Sequence, residues 1–309
     1  MKLPKLRIGD LKPAIPIIQG GMALRISTSG LAAAVANEGG IGVIAGSGLS
    51  PKELRSEIRQ AKALTSGIIG INIMYAVSAF SELMKAAIEE KIDLIISGAG
   101  FSRDMFYWGK QAGIPVVPIV STSKLAVISE KLGASAVIVE GNEAGGHLGT
   151  ERSIRDLLPE VKQSVKIPVI AAGGIVDSAD LESILSLSAD GVQMGIRFAA
   201  SEESNAAIEL KEIYVKSEAK DIVIIDSPVG LPGRAIRNSF TERIGKDPTI
   251  APDSCSHCLK ECTKSFCIIK ALDRAQRGDV ENGLIFSGKN IEKIKEILSV
   301  KKIIDDLIR

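Results

Sequence analysis

Short runs of apolar residues, many of them β-branched, recur along the chain. Between them lie longer stretches in which apolar residues return every three or four positions. The runs are Ile15–Ile18, Ile41–Ala45, Ile68–Ile73, Ile92–Ser97, Val116–Val120, Ala136–Val139, Val169–Ala172 and Gly191–Met194, and Gly, Ser or Asn follows soon after each. A nearly unbroken apolar run without in–out alternation marks a strand covered on both faces, as parallel strands are. The intervening stretches predict helices at Ser29–Asn37, Pro51–Ala63, Ser81–Glu90, Ser102–Gln111, Thr122–Leu132, Ile154–Lys162 and Asp177–Leu187. Ser50 before Pro51 is a typical start, an N-cap hydroxyl followed by proline at the first helical position. Eight strands alternating with helices predict an α/β fold of the (β/α)8, or TIM, barrel type. Alternation alone does not close a sheet, so a doubly wound sheet is the alternative.

After about Asn205 the rhythm changes. A helix is expected at Asn205–Lys216, a β-like run at Asp221–Ile225, then the turn-rich SPVGLPGRAIRN, a cysteine-rich segment, and helices at Ile268–Arg277 and Ile291–Leu307. The expected organisation is a barrel over residues 1–204 and a mainly helical C-terminal cap over 205–309, without a core of its own.

Bulk properties narrow the function. The chain has 309 residues, 45% hydrophobic and 24% charged, which is ordinary globular composition. A net charge of +1 gives no electrostatic case for nucleic acid. MKLPKLRIGD lacks the apolar core of a signal peptide, and no run approaches the ~20 residues of a membrane helix. A soluble, cytoplasmic protein without a membrane partner is expected.

In such barrels chemistry gathers at the C-terminal ends of the strands. Here those ends are rich in glycine: Gly20-Gly21, Gly46, Gly48, Gly98, Gly100, the EGNEAGGH loop, Gly173-Gly174 and Gly195. Glycine lets backbone approach a ligand closely at a cost in chain entropy. AAGGI and GVQMGIRF follow strands seven and eight, where many barrels bind phosphate, so the N–H groups of Gly173, Gly174 and Gly195 are candidate phosphate donors. His147 is one of only two histidines, set between glycines after strand six. An unperturbed imidazole titrates near ~6.5 and can accept a proton at neutral pH, so His147 is the candidate catalytic base.

The segment DSCSHCLKECTKSFCIIK holds all four cysteines, spaced Cys255-x2-Cys258-x3-Cys262-x4-Cys267. A disulfide framework would be spread along a chain, so this bunching points to metal ligation. A compact run favours a [4Fe–4S] cluster over tetrahedral zinc, with free thiols third and His257 outside the ligand set.

PIIQGGM, GINIM, SGAG, EAGGHLG, PVIAAGGI and GVQMGIRF occur in the order seen in the nitronate monooxygenase (2-nitropropane dioxygenase) family. That family includes the flavin-dependent enoyl-acyl-carrier-protein reductases. The resemblance covers residues 1–240 and extends weakly to GLIFSGKN near the end. It implies FMN, with Gly21 and Met22 against the isoalloxazine and Asn72 touching it. Gly145 and Gly146 would pass close by, His147 would lie over the flavin face, and Gly173, Gly174, Gln193, Met194, Gly195 and Ile196 would bracket the phosphate. The family usually has Thr where Ile196 stands, so a hydroxyl contact to phosphate is missing.

Two reactions follow. One oxidises alkyl nitronates to carbonyl compounds and nitrite; the alternative uses NAD(P)H to reduce an enoyl thioester. A non-catalytic flavin- or cluster-binding protein is the third reading, and an intact EAGGHLG argues against it. An acyl carrier protein and a homodimer are the partner classes left open.

Overall fold

The computed structural model describes residues 3–309. Its strands are β1 (Ile17–Gln19), β2 (Ile41–Ala45), β3 (Ile68–Asn72), β4 (Leu94–Ser97), β5 (Val116–Val120), β6 (Val137–Glu140), β7 (Gly146–His147), β8 (Val169–Ala172), β9 (Gly191–Met194), β10 (Ile222–Asp226) and β11 (Pro232–Ile236). Its helices are α1 (Ser29–Asn37), α2 (Pro51–Leu64), α3 (Phe80–Glu89), α4 (Arg103–Ala112), α5 (Ser123–Leu132), α6 (Ile154–Ser164), α7 (Ser178–Leu185), α8 (Ile196–Ala199), α9 (Ile208–Lys216), α10 (Ser239–Arg243), α11 (Ile268–Gln276) and α12 (Val300–Ile308).

Strands β1-β2-β3-β4-β5-β6-β8-β9 pair in parallel and close into a barrel, with Ile18 beside Gln193 sealing the seam. Closure, which alternation left open, decides for the (β/α)8 barrel over the doubly wound sheet. The barrel interior is filled by side chains such as Val43, Ile96, Val117 and Ile170, joined from the N-terminal segment by Leu6 and Ile8. The helices bury apolar stripes on the outside, as Leu157, Leu158 and Val161 of α6 do. Ser50 caps α2 as expected, accepting from the Glu53 N–H in a capping box. No helix among the described residues is long and apolar enough to cross a membrane.

Two expectations fail beyond residue 205. SPVGLPGRAIRN is not merely turns: Pro232–Ile236 forms β11, which runs antiparallel to β10 on one side and β7 on the other. Proline at the first residue of a strand needs no N–H there, so a turn signal and a strand start coincide. The expected long terminal helix is also broken. A single 3-10 turn at Ile291–Lys293 precedes α12, which starts afresh at Val300 with Ser299 as N-cap. Between them Leu298 bridges to Ser201.

Candidate active site

The C-terminal rim of the barrel opens into a cavity of about 270 Å³. Gly21, Met22, Asn72, Gly145, Gly146, His147, Gly173, Gly174, Gln193, Met194, Gly195 and Ile196 all line it. Sequence reasoning nominated these positions from scattered loops, and the closed sheet brings them to one place. The cavity's far wall was not anticipated residue by residue: Leu210 and Tyr214 of α9, Leu272 and Ala275 of α11, and Leu284 and Phe286 close it with apolar surface.

Several features mark the cavity as a site for a polar ligand. The Oδ1 of Asn72 and the Oε1 of Gln193 are buried without a hydrogen-bond partner, a costly arrangement unless a ligand supplies donors. A Cβ on Gly21 would stand 2.5 Å from the Asn72 Cβ, so only glycine lets this loop lie against β3. A Cβ on Gly145 would meet the Ser287 carbonyl carbon at 2.6 Å and the Gly288 nitrogen at 2.7 Å. The EAGGH loop and the SGKN segment are thus in backbone contact. At the other end Asn290 Nδ2 donates to the Gly174 carbonyl at 2.6 Å. Among the described hydrogen bonds, the N–H groups of Gly173, Gly174 and Gly195 donate to no protein acceptor.

His147 owes its position to the small β10-β11-β7 sheet. It pairs with Gly233, Gly146 pairs with Arg234, and the Leu148 N–H donates to the Pro232 carbonyl at 2.8 Å. The His147 Nε2 lies 2.8 Å from the Oγ of Ser227, a buried hydroxyl at the end of β10. The Val229 N–H donates to the same Oγ at 3.4 Å. The hydroxyl keeps one proton and one lone pair for Nε2, so it pairs with either tautomer of the imidazole. The Phe286 ring packs edge-on at 5.1 Å. Burial pulls the His147 pKa down to about 4, so the imidazole is uncharged at neutral pH. That makes it a weaker base than an unperturbed histidine, uncharged and with one ring N–H to donate. Ser227 was missed because nothing in SPVGLPG ties it to a loop 80 positions away.

Two neighbours brace this loop. Arg234 of β11 donates from Nε to the Ala144 carbonyl at 3.1 Å and from Nη2 to the Asn142 carbonyl at 2.6 Å. Its guanidinium therefore holds protein backbone. Glu143 accepts from the Ser153 hydroxyl at 2.5 Å and from the Ile154 N–H at 3.0 Å, tying the loop to the start of α6. Glu140, the last residue of β6, also lines the cavity, and no described hydrogen bond or ion pair involves its carboxyl. Burial alone pushes its pKa up to about 7.

The four cysteines are free, half-buried thiols. The Cys255 and Cys262 sulfurs each accept a backbone N–H two residues on, at 3.4 Å. Among the described residues, however, no three His, Cys, Asp or Glu side chains converge into a group that could hold a metal ion. The segment instead straps the β3–α3 loop: the Ser78 N–H donates to the Cys258 carbonyl at 3.0 Å and the Lys260 N–H to the Ala76 carbonyl at 2.9 Å. The Lys260 ammonium sits 3.3 Å above the centre of the Tyr75 ring.

Comparison with known proteins places these features in context. The model of the nitronate monooxygenase family matches residues 6–94 and 78–309. The (3aS,4S,5R,7aS)-5-hydroxy-7a-methyl-1-oxo-octahydro-1H-indene-4-carboxyl-CoA dehydrogenase of Rhodococcus jostii (strain RHA1) is 32% identical over 229 residues. That alignment takes in 74% of this chain and 64% of the relative, so it spans less than two thirds of that protein. A probable nitronate monooxygenase of Staphylococcus aureus (strain JH9) is 31% identical, over 77% of this chain and 79% of its own. Among solved structures, FabK from Thermotoga maritima superimposes with a TM-score of 0.86 at 36% identity, covering 95% of this chain and 91% of that one.

Proposed function

From the premise that this chain belongs to the nitronate monooxygenase family of flavin oxidoreductases, we propose that it binds FMN at the barrel rim and reduces enoyl thioesters or similar electron-poor alkenes with NAD(P)H. The residues present suit the cofactor. The unpartnered amides of Asn72 and Gln193 offer hydrogen bonds to a heteroaromatic edge, and the glycine loops leave room for a ring. The free N–H groups of Gly173, Gly174 and Gly195 suit a phosphate. Residues 1–204 supply this cradle and residues 205–309 cover it.

Bound FMN supplies hydride chemistry; the chain supplies position, a dry cavity and proton management. His147 is an uncharged imidazole held through Nε2 by Ser227, and in the tautomer protonated on Nδ1 it donates a hydrogen bond to a thioester carbonyl. A neutral imidazole can polarise a carbonyl in this way at neutral pH. Arg234 and Glu143 keep the loop carrying it in place.

The observation that carries this choice is the apolar wall of Leu210, Leu272, Leu284 and Phe286, which suits an acyl chain better than a small nitroalkane. Similarity to FabK, an enoyl-acyl-carrier-protein reductase, supports it. Nitronate oxidation is the second reading, supported by the probable nitronate monooxygenase relatives. Anaerobic mixing of the yellow holoprotein with NAD(P)H, then with an enoyl thioester, tests the choice. Bleaching by NAD(P)H and recovery on adding the thioester is the expected result; bleaching only by a nitronate would transfer the assignment to the second reading.

A further inference from the structure

Glu140 stands apart from every other acid at the site. It closes β6 at the rim, beside Ala172 of β8, whose own neighbour across the ladder is Gln193. Its carboxyl opens into the same cavity as the unpartnered amide oxygens of Asn72 and Gln193. Glu143, three positions on, is committed to Ser153 and Ile154. A carboxyl left without donor or cation inside a cavity is costly unless the ligand or a proton answers it.

The charges around it do not supply that answer. The sheet neighbours β5 and β8 contain no ionisable side chain. On the covering helices, α5 carries Lys124, Glu130 and Lys131, and α6 carries Arg155, Asp156, Glu160 and Lys162. Within the cavity the other titratable groups are Glu143, uncharged His147 and the buried phenol of Tyr214. Arg234 reaches the adjoining loop, where it is spent on the Asn142 and Ala144 carbonyls. None of these groups contributes to the rise in the proton affinity of Glu140, which comes from burial.

We propose that Glu140 is the proton acceptor that balances charge in this cavity when two electrons enter the flavin, which makes flavin reduction proton-coupled through this side chain. The inference rests on the flavin reading above. The electrons come from a reductant, NAD(P)H in turnover or dithionite in the test. Two electrons and one proton go to the flavin. One further proton, from solvent, forms the O–H bond of the Glu140 carboxyl. The added negative charge beside a carboxylate in low dielectric drives that uptake. Reoxidation returns the proton.

The test counts protons. The holoprotein is reduced anaerobically with dithionite in weakly buffered solution on the alkaline side of pH 7, where the free carboxyl is ionised. Proton uptake per two electrons is then compared with that of Glu140→Gln. The expected result is up to about one proton more for the native chain. Glu140→Asp, which keeps a carboxylate, should recover the extra proton, and His147→Gln should retain it. Should Glu140→Gln bind FMN too weakly to be counted, Glu140→Asp and His147→Gln decide. Equal uptake in the native chain and Glu140→Gln, or loss of the extra proton only in His147→Gln, would overturn the proposal. A native chain that takes up no FMN would instead refute the underlying flavin assignment.

Discussion

The Nε2 of His147 and the Oγ of Ser227 lie 2.8 Å apart across 80 positions of sequence. The small β10-β11-β7 sheet brings them together. Ser227 also accepts from the Val229 N–H, which anchors the hydroxyl against the imidazole and so fixes the orientation of the ring.

Ser227→Ala should therefore lower kcat roughly tenfold, on the order of 1.4 kcal/mol, the scale of one neutral hydrogen bond. His147→Gln should lower it by roughly 10²–10⁴, the range for a proton-handling group. FMN affinity should change little in either variant. Steady-state kinetics with fluorescence titration of FMN checks both; a native rate in His147→Gln would remove the histidine from the chemistry.

Stability of the apoprotein should be nearly flat between about pH 4.5 and 6.5 because two partly buried groups oppose each other. His147 has its pKa lowered from 6.5 to about 4, so the unfolded chain binds more protons in this window and stability rises with pH. Glu140 has its pKa raised from 4.5 to about 7, so the folded chain binds more protons and stability falls as pH rises. Each effect is on the order of 3 kcal/mol at full extent. Urea unfolding at several pH values should show an upward slope in Glu140→Gln and a downward slope in His147→Gln. Slopes of the reverse sign would contradict both assignments.

Gly145→Ala should fold yet bind FMN at least about tenfold more weakly, ~1.4 kcal/mol. The added methyl meets the backbone of Ser287 and Gly288 and must push the EAGGH loop off the SGKN segment. Circular dichroism alongside quenching of flavin fluorescence separates a displaced loop from a misfolded chain.

Arg234→Lys should lose much of the bracing of Asn142 and Ala144, since an ammonium does not reproduce the two-pronged contact. A loss of about 1–2 kcal/mol in unfolding free energy is expected, with kcat reduced and KM little changed. An unaltered kcat would show that the loop holds its shape without the guanidinium.

No cysteine lines the cavity, so dialysis against a chelator should leave the FMN stoichiometry unchanged. Iron, sulfide and zinc analysis of anaerobically prepared protein checks the metal expectation directly. Flavin lost in step with metal would show that the strap over Ser78 and Ala76 governs the site.

Much of the barrel was legible because its information is local. The apolar runs at Ile41–Ala45, Val116–Val120, Val169–Ala172 and Gly191–Met194 coincide with strands to the residue. The helix starts at Ser29 and Pro51 were equally plain, the latter because its cap lies within one turn. Boundaries slipped where local signals conflict, as in Ser81–Glu90 against the observed Phe80–Glu89. β7 was invisible because two residues, one a glycine, carry no strand propensity; β11 supplies its ladder partners.

By itself the sequence determined the alternation of strands and helices, and with it a rim rich in glycine that carries His147. Periodicity, caps and turn residues act over a few positions, and each leaves its mark in the residues it uses. The tertiary structure alone decided closure of the sheet, the pairing of His147 with Ser227 and the turn of Arg234 onto backbone. It also left Glu140 without a hydrogen-bond partner. These depend on which distant segments meet and on how much water they exclude, and burial of that kind sets the protonation of a side chain without leaving a local pattern in the chain.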